Sequence, residues 1–453
     1  MKNMTLANIA YCLQSPLCNG EGKENTVITG AVLDSRKVES GNLFFATRGE
    51  RVDGHSFIPQ VAEKGAALVI CEEAPSVDVP YIIVPDSFVA LKEVAKFYRS
   101  QLSIPIIGVT GSVGKTSTKE MIAACLSAKY QVLKTEGNFN NEVGLPLTVL
   151  RIRDEHEVAV VEMGISDFGE MDRLAAIAKP DISVITNIGI CHLENLIDRD
   201  GVMKAKTEVF AHMSKDGYVI LNGDDDKLAT IKEVNGKAPL FFGMKEGADL
   251  KALATKIESK GLFGSDFTMK LWGEDVDATV PLPGTHMVTN ALAAALVGKT
   301  LGMTTAEIVS GIASVQATGG RSNILKVVDK VIIDDCYNAN PVSMKSAIDL
   351  LKMAQGEKVA ILGDMFELGE HELALHKEVG QYAAMAMLDR MIFIGNLSKE
   401  MYEGAMQLHA NAEYYPDKAS FMANHKPEDF KDTTVLAKAS HGMHFEELVE
   451  WLK

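Results

Sequence analysis

The sequence predicts an α/β protein of three domains, a small α/β module followed by two larger units in which strands and helices alternate. A chain of 453 residues exceeds what one hydrophobic core usually supports, so two to four domains are expected. Short runs rich in β-branched residues, such as 104–109 and 182–188, are mostly apolar, as in strands that helices cover on both faces of a parallel sheet. The predicted domains cover residues 1–98, 99–315 and 316–453.

The first domain is predicted from four strand-like runs, which are separated by turns that contain Gly and Asp. The turns include S-G-N at 40–42 and V-D-G-H-S at 52–56. A helix at 88–99 follows, and Pro105 marks a break after it. The strands are expected at 27–33, 43–47, 67–71 and 81–84.

The second and third domains repeat the alternation of strands and helices, which predicts βαβ units with ligand sites at the carboxyl ends of the strands. In the second domain, strands are expected at 104–109, 158–163 and 182–188, and helices at 116–128, 170–178, 204–213 and 288–301. In the third, Rossmann-like domain, strands are expected at 331–335, 359–363, 391–395 and 434–438, and helices at 343–353, 373–387 and 445–452.

Composition excludes several classes of function. The formal charge of -16, from 45 Lys and Arg against 61 Asp and Glu, makes the chain a poor general binder of nucleic acid. The sequence has no apolar run long enough for a transmembrane helix and no signal-peptide pattern at its start. The six cysteines include no C-x-x-C pair, which argues against a disulfide framework or structural zinc. We therefore expect a cytoplasmic protein that is not inserted in a membrane. A monomer is also expected, although the composition does not determine the oligomeric state.

The most specific motif is a predicted phosphate loop, T-G-S-V-G-K-T-S, between an apolar strand and a helix. Its glycines allow a tight turn, and N–H groups at the helix start can face anionic phosphates. Lys115 is placed to contact the β- and γ-phosphates, and the Thr116 hydroxyl to bind Mg²⁺. Val109 takes the first Gly position of the strict pattern, so an ordinary Gly-rich helix start is the alternative. The predicted nucleotide-binding residues are Thr110, Gly111, Ser112, Val113, Gly114, Lys115, Thr116 and Ser117.

Three residues further along the chain can complete a metal–phosphate site. Glu162 ends a predicted strand, His192 follows the next strand, and Lys206 lies on a predicted helix. Mg²⁺ prefers oxygen ligands, so a histidine is an atypical ligand and an uncharged lysine a worse one. The ordinary alternatives are a solvated strand end, a capping or core histidine and a surface charge.

Five motifs, in this order, resemble those of the Mur ligase family over nearly the whole chain. They are T-G-S-V-G-K-T, V-x-E-M-G, T-N-I-G-x-x-H-L-E, K-A-K-x-E-x-F and L-P-G-x-H-x-x-x-N-A-L-A-A. The resemblance implies an ADP-forming ligase that uses ATP to activate a carboxylate as an acyl phosphate. It implies one Mg²⁺ ion on Thr116 and Glu162, and a second that His192 helps to hold. It also implies a CO₂-derived carbamate on Lys206, which turns an ammonium into a carboxylate-like metal ligand.

The same resemblance assigns further residues to the nucleotide. Asn290, in the last of the five motifs, is implied at the adenine end of ATP. Arg321 in T-G-G-R-S-N is similar to an arginine of the family that reaches the nucleotide phosphates. Asp335, at the end of a predicted strand of the third domain, is also assigned to the nucleotide. Without the resemblance, these would be a helix start, an interdomain turn and part of a polar turn.

The N-terminal stretch L-D-S-R-K-V-E-S-G-N-L-F-F resembles a UDP-binding module of this family. The resemblance places Asp34, Ser35 and Arg36 on a uridine-diphosphate motif and Gly54 and His55 in a second loop. Folylpolyglutamate synthases, from the same superfamily, lack such a module, which counts against them. The implied substrate is a UDP-linked muramoyl peptide.

Three segments, at 135–148, 334–344 and 362–376, resemble the members that add D-alanyl-D-alanine to UDP-N-acetylmuramoyl-tripeptide in peptidoglycan synthesis. The D-N-P-R motif of the members that add a single amino acid is absent. Turns rich in Asn for its backbone tolerance are the alternative interpretation of these segments. The expected substrate-binding residues there are Asn138, Asn141, Tyr337, Asn338 and Asn340.

Two other functions stay open. One is a ligase of the same family that adds a single amino acid, which a panel of amine substrates would distinguish. The other is a non-catalytic ATP-binding regulatory scaffold. The combination of Glu162, His192 and Lys206 argues against the scaffold, because binding alone does not need a second metal ion.

One C-terminal segment departs from the family pattern. In V-L-A-K-A-S-H-G-M, Ala439 replaces a glycine and His441 replaces an arginine. The departure puts in doubt a direct role of that arginine in binding the dipeptide. A neutral His441 can still donate one hydrogen bond, with less charge.

Overall fold

The computed structural model describes residues 1–49, 52–189, 191–245, 250–317, 323–366 and 368–453. Their strands form three sheets, of five, nine and six strands. Parallel pairings occur in each sheet, because helices connect many consecutive strands. This architecture confirms the predicted three-domain α/β class. In the described part of the chain, every helix is too short or too polar to cross a membrane.

The five-stranded sheet belongs to the N-terminal part of the chain. Its strands are β1 Leu17–Cys18, β2 Gly30–Val32, β3 Asn42–Phe45, β4 Leu68–Cys71 and β5 Tyr81–Ile83, and its helices are α1 Leu6–Cys12, α2 Ile58–Glu63 and α3 Ser87–Arg99. The strand order is β1-β5-β4-β3-β2, and only the pairing of β1 with β5 is antiparallel. Both β3 and β4 are buried along their whole length, as expected for strands covered on both faces.

The nine-stranded sheet carries the predicted phosphate loop. Its strands are β6 Ile106–Thr110, β7 Val132–Lys134, β8 Val158–Glu162, β9 Ile182–Ile185, β10 Tyr218–Asn222, β11 Leu240–Gly243, β12 Leu250–Ser259, β13 Ser265–Leu271 and β14 Glu274–Val280. The helices are α4 Lys115–Ser127, α5 Gly144–Val149, α6 Glu170–Ala178, α7 Leu193–Leu196, α8 Arg199–Thr207, α9 Thr285–Thr300 and α10 Thr305–Ala313. The strand order is β14-β13-β12-β11-β10-β9-β6-β8-β7.

The sequence pattern predicted no strand between 189 and 330, and this was wrong. The strands β10 to β14 lie in that stretch, with one strand of the next sheet. Much of β12 and β14 is partly or fully exposed, so these strands lack the continuous apolar run on which the prediction rested.

The six-stranded sheet contains the C-terminal part of the chain. Its strands are β15 Asn323–Lys326, β16 Val331–Asp334, β17 Glu357–Gly363, β18 Arg390–Ile394, β19 Ala412–Tyr415 and β20 Thr433–Lys438. The helices are α11 Pro341–Lys352, α12 Glu372–Met385, α13 Ser398–Met406, α14 Lys418–Asn424 and α15 Glu446–Leu452. The order is β15-β16-β20-β17-β18-β19, and only the pairing of β15 with β16 is antiparallel.

The chain divides into two compact units. The first comprises Met1–Lys256, Thr268–Ala278 and Thr289–Ser314, and the second comprises Ile257–Phe267, Thr279–Val288 and Val315–Lys453. In the first unit, one hydrophobic core includes Leu43 and Ile70 of the five-stranded sheet as well as Ala159 and Ile185 of the nine-stranded sheet. In the second unit, two cores cover the two faces of the six-stranded sheet.

Helix α3 ties the five-stranded sheet to the strands that follow it. The Tyr98 hydroxyl donates a hydrogen bond of 2.6 Å to the carbonyl of Ile152. Arg99 Nε donates to the carbonyl of Ala178 at 2.8 Å, and its guanidinium pairs with Asp181 at 3.1 Å. Both side chains are buried, so these polar contacts add direction to the apolar packing of the first unit.

Arg99→Ala is expected to lower the free energy of unfolding of the first unit by about 2 to 4 kcal/mol. The substitution leaves buried carbonyl groups without a donor and Asp181 without its counter-charge. The midpoint of urea unfolding, followed by circular dichroism, measures this loss. Lys96→Ala is the matched control, because Lys96 lies on the same helix and its ion pair is exposed. Equal midpoints for the two variants would contradict the prediction.

Candidate active site

The predicted phosphate loop connects β6 to α4, as the sequence indicated. Gly114 precedes the helix with a φ of 79°, in the left-handed region that favours glycine. A Cβ atom on Gly111 would lie 1.9 Å from the Thr186 Oγ1 atom. Gly114 is therefore required by its φ angle, and Gly111 is required because a side chain there would collide with Thr186.

The loop that follows β9 braces the phosphate loop. The N–H of Ser112 donates to the Asn187 carbonyl at 3.0 Å, and the N–H of Val113 donates to Asn187 Oδ1 at 3.0 Å. Thr186 Oγ1 donates in turn to the carbonyl of Val113 at 2.7 Å. The amides of Ser112 and Val113 already donate to acceptors in this loop. An anion can therefore bind the N–H groups in the first turn of α4, which have no acceptor within the helix. The sequence prediction missed Asn187, whose only signal was its place in T-N-I-G.

Lys115 lies over the loop that it follows. Its Nζ donates to the carbonyl of Gly111 at 3.0 Å and contacts that of Ser112 at 3.4 Å. Burial lowers the pKa of Lys115, and the carboxylate of Glu162 acts in the opposite direction. The ammonium is thus held at the loop by weak carbonyl contacts, which a triphosphate can replace with stronger charge-assisted bonds.

Glu162 ends β8 inside a buried polar cradle. Its N–H donates to Thr135 Oγ1 at 2.9 Å, and Asn140 Nδ2 donates to Glu162 Oε1 at 2.8 Å. Lys119 Nζ lies 3.8 Å from Glu162 Oε2 and donates to the carbonyl of Thr135 at 2.7 Å. The prediction missed Lys119, because a lysine in an ordinary helix sequence gives no signal of burial.

The cradle fits a divalent cation. Glu162 Oε2 and Thr110 Oγ1 are buried, and neither has a hydrogen-bond partner among the described residues. A carboxylate oxygen without a donor is the kind of ligand that Mg²⁺ prefers. Among the same residues, no three His, Cys, Asp or Glu side chains are grouped so that they could hold a metal ion. Further ligands of a Mg²⁺ ion here would be oxygens of hydroxyl groups, of water, of bound phosphate or of a modified lysine.

Lys206 and His192 lie in the same electrostatic environment. Lys206 is only 1% exposed, and burial together with the charge of Lys115 lowers its pKa to about 8. His192 has a φ of 51°, and its pKa is lowered by burial and by the charges of Lys206 and Lys115. The charge of Lys115 thus acts on the pKa values of Lys206 and His192, and the carboxylate of Glu162 acts on the pKa of Lys115.

The other residues assigned to the nucleotide lie in different parts of the chain. Asn290 lies in α9, and its Oδ1 accepts a hydrogen bond of 2.9 Å from Thr118 Oγ1 of α4. The contact places Asn290 beside the helix that carries Lys115, within the first unit. Arg321 lies outside the described residues. Asp335 lies in the second unit, where its Oδ2 atom is 2.6 Å from Lys438 Nζ.

The predicted UDP motif is a surface turn. Arg36 donates two side-chain hydrogen bonds to Asp34, and these bonds, with one from its own N–H, lower the pKa of Asp34 to about 2. Lys64 Nζ donates to the carbonyl groups of Ser35 at 2.8 Å and Arg36 at 3.1 Å. Lys64 therefore fixes the backbone of the motif, and the sequence prediction had missed it.

The second predicted loop of this module has a buried histidine. His55 Nδ1 lies 2.7 Å from Asp53 Oδ1, and His55 Nε2 accepts the N–H of Glu72 at 2.9 Å. Both ring nitrogens thus have partners within the protein. A Cβ atom on Gly54 would lie 2.8 Å from the backbone nitrogen of Thr47, so this glycine allows close packing of the loop.

The asparagines after β7 divide into different roles. Asn141 Oδ1 accepts the N–H groups of Val143 at 3.2 Å and Gly144 at 2.9 Å, which caps α5. Asn138 is exposed. Asn140, between them, holds Glu162. The stretch therefore contributes to the cradle around Glu162 through Asn140.

The second unit contains a cavity of 510 Å³ at the carboxyl ends of β16, β17 and β20. The rings of Tyr337 and His441 stack there, with centroids 6.2 Å apart and planes 26° apart. The three predicted substrate residues of this unit all line the cavity. The lining residues are Tyr337, Asn338, Ala339, Asn340, Phe366, Leu368, Ser440, His441 and Gly442.

Comparison with known proteins shows the class of protein that has this fold and this phosphate loop. Family models match in three stretches: the Mur ligase family catalytic domain at 27–126, the Mur ligase middle domain at 109–298, and the glutamate ligase domain of Mur ligases at 320–441. The chain belongs to the Mur ligase family and is an enzyme of the ligase class.

The relatives that match the chain over nearly its full length belong to one particular type of Mur ligase. The UDP-N-acetylmuramoyl-tripeptide--D-alanyl-D-alanine ligase of Bacillus subtilis is 38% identical, over 99% of this chain and 98% of its own. A crystal structure of MurF from Acinetobacter baumannii is 32% identical, with a TM-score of 0.89 and coverage of 99% and 98%. MurF from Thermotoga maritima, in complex with ADP, is 30% identical, with a TM-score of 0.75 and coverage of 93% and 96%.

Proposed function

We propose that this chain is an ATP-dependent ligase that joins D-alanyl-D-alanine to UDP-N-acetylmuramoyl-tripeptide and releases ADP, in the synthesis of peptidoglycan precursors. Its likeness to MurF proteins over nearly their whole length supports this function. The observation that carries the chemistry is a braced phosphate loop beside Glu162, whose buried Oε2 oxygen has no donor among the described residues.

The first unit supplies the groups for the nucleotide. The N–H groups at the start of α4 and the ammonium of Lys115 face the phosphates, and Asn290 contacts the adenine end. Thr116 and Glu162 hold one Mg²⁺ ion, and His192 helps to hold a second. Bound magnesium offsets the negative charge of the phosphates as a carboxylate approaches them.

We assign a carbamate to Lys206. Its nitrogen bonds to the carbon of CO₂ and releases a proton, which gives an anionic oxygen ligand in place of a cation. The reaction needs the neutral amine, and a pKa of about 8 makes this form far more abundant at neutral pH than in an ordinary lysine.

The reaction has two bond exchanges. A carboxylate oxygen of the tripeptide bonds to the γ-phosphorus, and the bond from that phosphorus to ADP breaks. The amine of the dipeptide then bonds to the acyl carbon, phosphate leaves, and the nitrogen loses a proton. Lys115 offsets the charge in the first step.

The three predicted domains bind different parts of the substrates in this proposal. Residues 1–98 bind the UDP end through the turn at 34–36 and the loop of Gly54 and His55. Residues 99–315 bind ATP, with Asn138 and Asn141 near the peptide substrate. Residues 316–453 bind the dipeptide in the cavity that Tyr337, Asn338 and Asn340 line. We further propose a cytoplasmic monomer.

ADP release by the purified protein tests the function. Sustained release should require ATP, Mg²⁺, UDP-N-acetylmuramoyl-tripeptide and D-alanyl-D-alanine together, because the first step consumes ATP and the tripeptide and the second step consumes the dipeptide. Single amino acids in place of the dipeptide should give less than about a hundredth of the rate, since they leave part of the cavity unfilled. Equal turnover with a single amino acid would instead indicate a ligase of the same family that adds a single amino acid. Equal turnover without either substrate would reject the ligase.

A further inference from the structure

A buried ion pair lies directly beneath the cavity of the second unit. Lys438 ends β20 and is 2% exposed, and its Nζ lies 2.6 Å from the carboxylate of Asp335. Its Nζ also donates to the carbonyl of Asn338 at 2.8 Å and lies 3.4 Å from the carbonyl of Asp335. One ammonium therefore holds three oxygens of the segment that leaves β16.

This segment forms one wall of the cavity. Tyr337, Asn338 and Asn340 line it, whereas Lys438 and Asp335 do not. The N–H of Asp335 donates to the carbonyl of Ala437 at 3.0 Å, so the segment begins as a continuation of the sheet. Beyond that point, Lys438 Nζ holds the carbonyl of Asn338, and Cys336 Sγ lies 3.3 Å from the carbonyl of Ala437.

We propose that Lys438 is a positioning residue for the amine substrate, because its ammonium sets the backbone of 335–338 and so the placement of Tyr337 and Asn338 in the cavity. This inference rests on the proposed function, in which the cavity binds D-alanyl-D-alanine. Lys438 does not itself contact the substrate. Its removal takes a cation from beside the buried carboxylate of Asp335 and a donor from the carbonyl of Asn338, so the wall of the cavity must rearrange.

A second buried lysine of the same sheet is a matched control. Lys330 lies immediately before β16, and its Nζ donates to the carbonyls of Pro427 at 3.0 Å and Leu452 at 3.2 Å. It also pairs with Asp329 at 3.2 Å. Because β16 and β20 are parallel neighbours, Lys330 lies at the amino ends of the strands and Lys438 at the carboxyl ends, about 16 Å away.

Lys438→Met should raise the KM for D-alanyl-D-alanine by about tenfold or more and change the KM for ATP by less than about threefold. Lys330→Met should lower thermal stability and leave both KM values within about twofold of the wild type. Both variants are measured by ADP release, with the thermal unfolding midpoint of each protein recorded alongside.

An unchanged KM for the dipeptide in Lys438→Met, or an equal rise in Lys330→Met, would overturn the inference. If Lys438→Met does not fold, Asp335→Asn replaces it, because the amide removes the counter-charge and keeps the shape. Its KM for the dipeptide should rise by about threefold or more, and no rise would again overturn the inference. A wild-type enzyme without activity on the dipeptide would instead disprove the proposed function.

Discussion

Lys115→Ala is expected to lower kcat/KM for ATP by at least about 10³-fold, which is the largest effect of any single substitution considered. The ammonium of Lys115 lies on the phosphate loop itself, at 3.0 Å from the carbonyl of Gly111. In the reaction it would offset charge on the transferred phosphoryl group, which alanine cannot do. ADP release at saturating concentrations of the other substrates measures the loss.

Lys129→Ala is the control for that substitution. Lys129 follows the same helix, and its Nζ donates to the carbonyl of Gly302 at 2.8 Å. Its removal should change kcat/KM by less than about threefold, because it contacts no part of the phosphate loop. Binding of a non-hydrolysable ATP analogue to each variant, by calorimetry, separates lost affinity from lost chemistry. Full activity of Lys115→Ala would disprove the role of the loop in catalysis.

Lys206→Ala is expected to lower kcat by about 10²- to 10³-fold, and added formate or acetate should restore part of the activity. The alanine variant leaves a cavity where the carbamate would lie, and a short carboxylate can place oxygens there. Incorporation of ¹³C-labelled bicarbonate, followed by NMR, reports the carbamate directly in the wild type. The label should be absent from the variant.

Lys204→Ala tests whether the rescue is specific. Lys204 lies on the same helix and is exposed, with its Nζ 5.7 Å from the ring of Phe168. Its removal should cost less than about threefold in kcat, and carboxylates should not change that rate. A Lys206→Ala enzyme with wild-type activity, or a wild type without a labelled carbamate, would refute the assignment.

Local patterns were sufficient for the elements that carry the chemistry. The phosphate loop, the carboxylate at the end of β8 and the lysine of α8 each lie where a strand or helix was predicted. Their positions follow from short apolar runs and glycines, which act over a few residues. The exposed strands β12 and β14 had no such run, and the prediction failed there.

Residues that act through distant partners could not be predicted in the same way. Lys119, Asn187 and Lys438 lie next to predicted site residues in space, and each holds a backbone group or carboxylate of the site. In the sequence they are an ordinary helical lysine, a loop asparagine and a strand-end lysine. Their roles depend on which strands are neighbours in the sheet, and local composition does not contain that information.

The sequence by itself determined the α/β class, the phosphate loop and the set of residues from Lys115 to Lys206 that meet beside it. These depend on periodicity, on glycine geometry and on motifs that each span a few residues. Only the tertiary structure decided which polar atoms already have hydrogen-bond partners, as in His55 and Asn141. It also decided which have none in the described part of the chain, as with Glu162 Oε2. The reason is physical: hydrogen bonds and burial depend on atoms that folding brings together from distant parts of the chain.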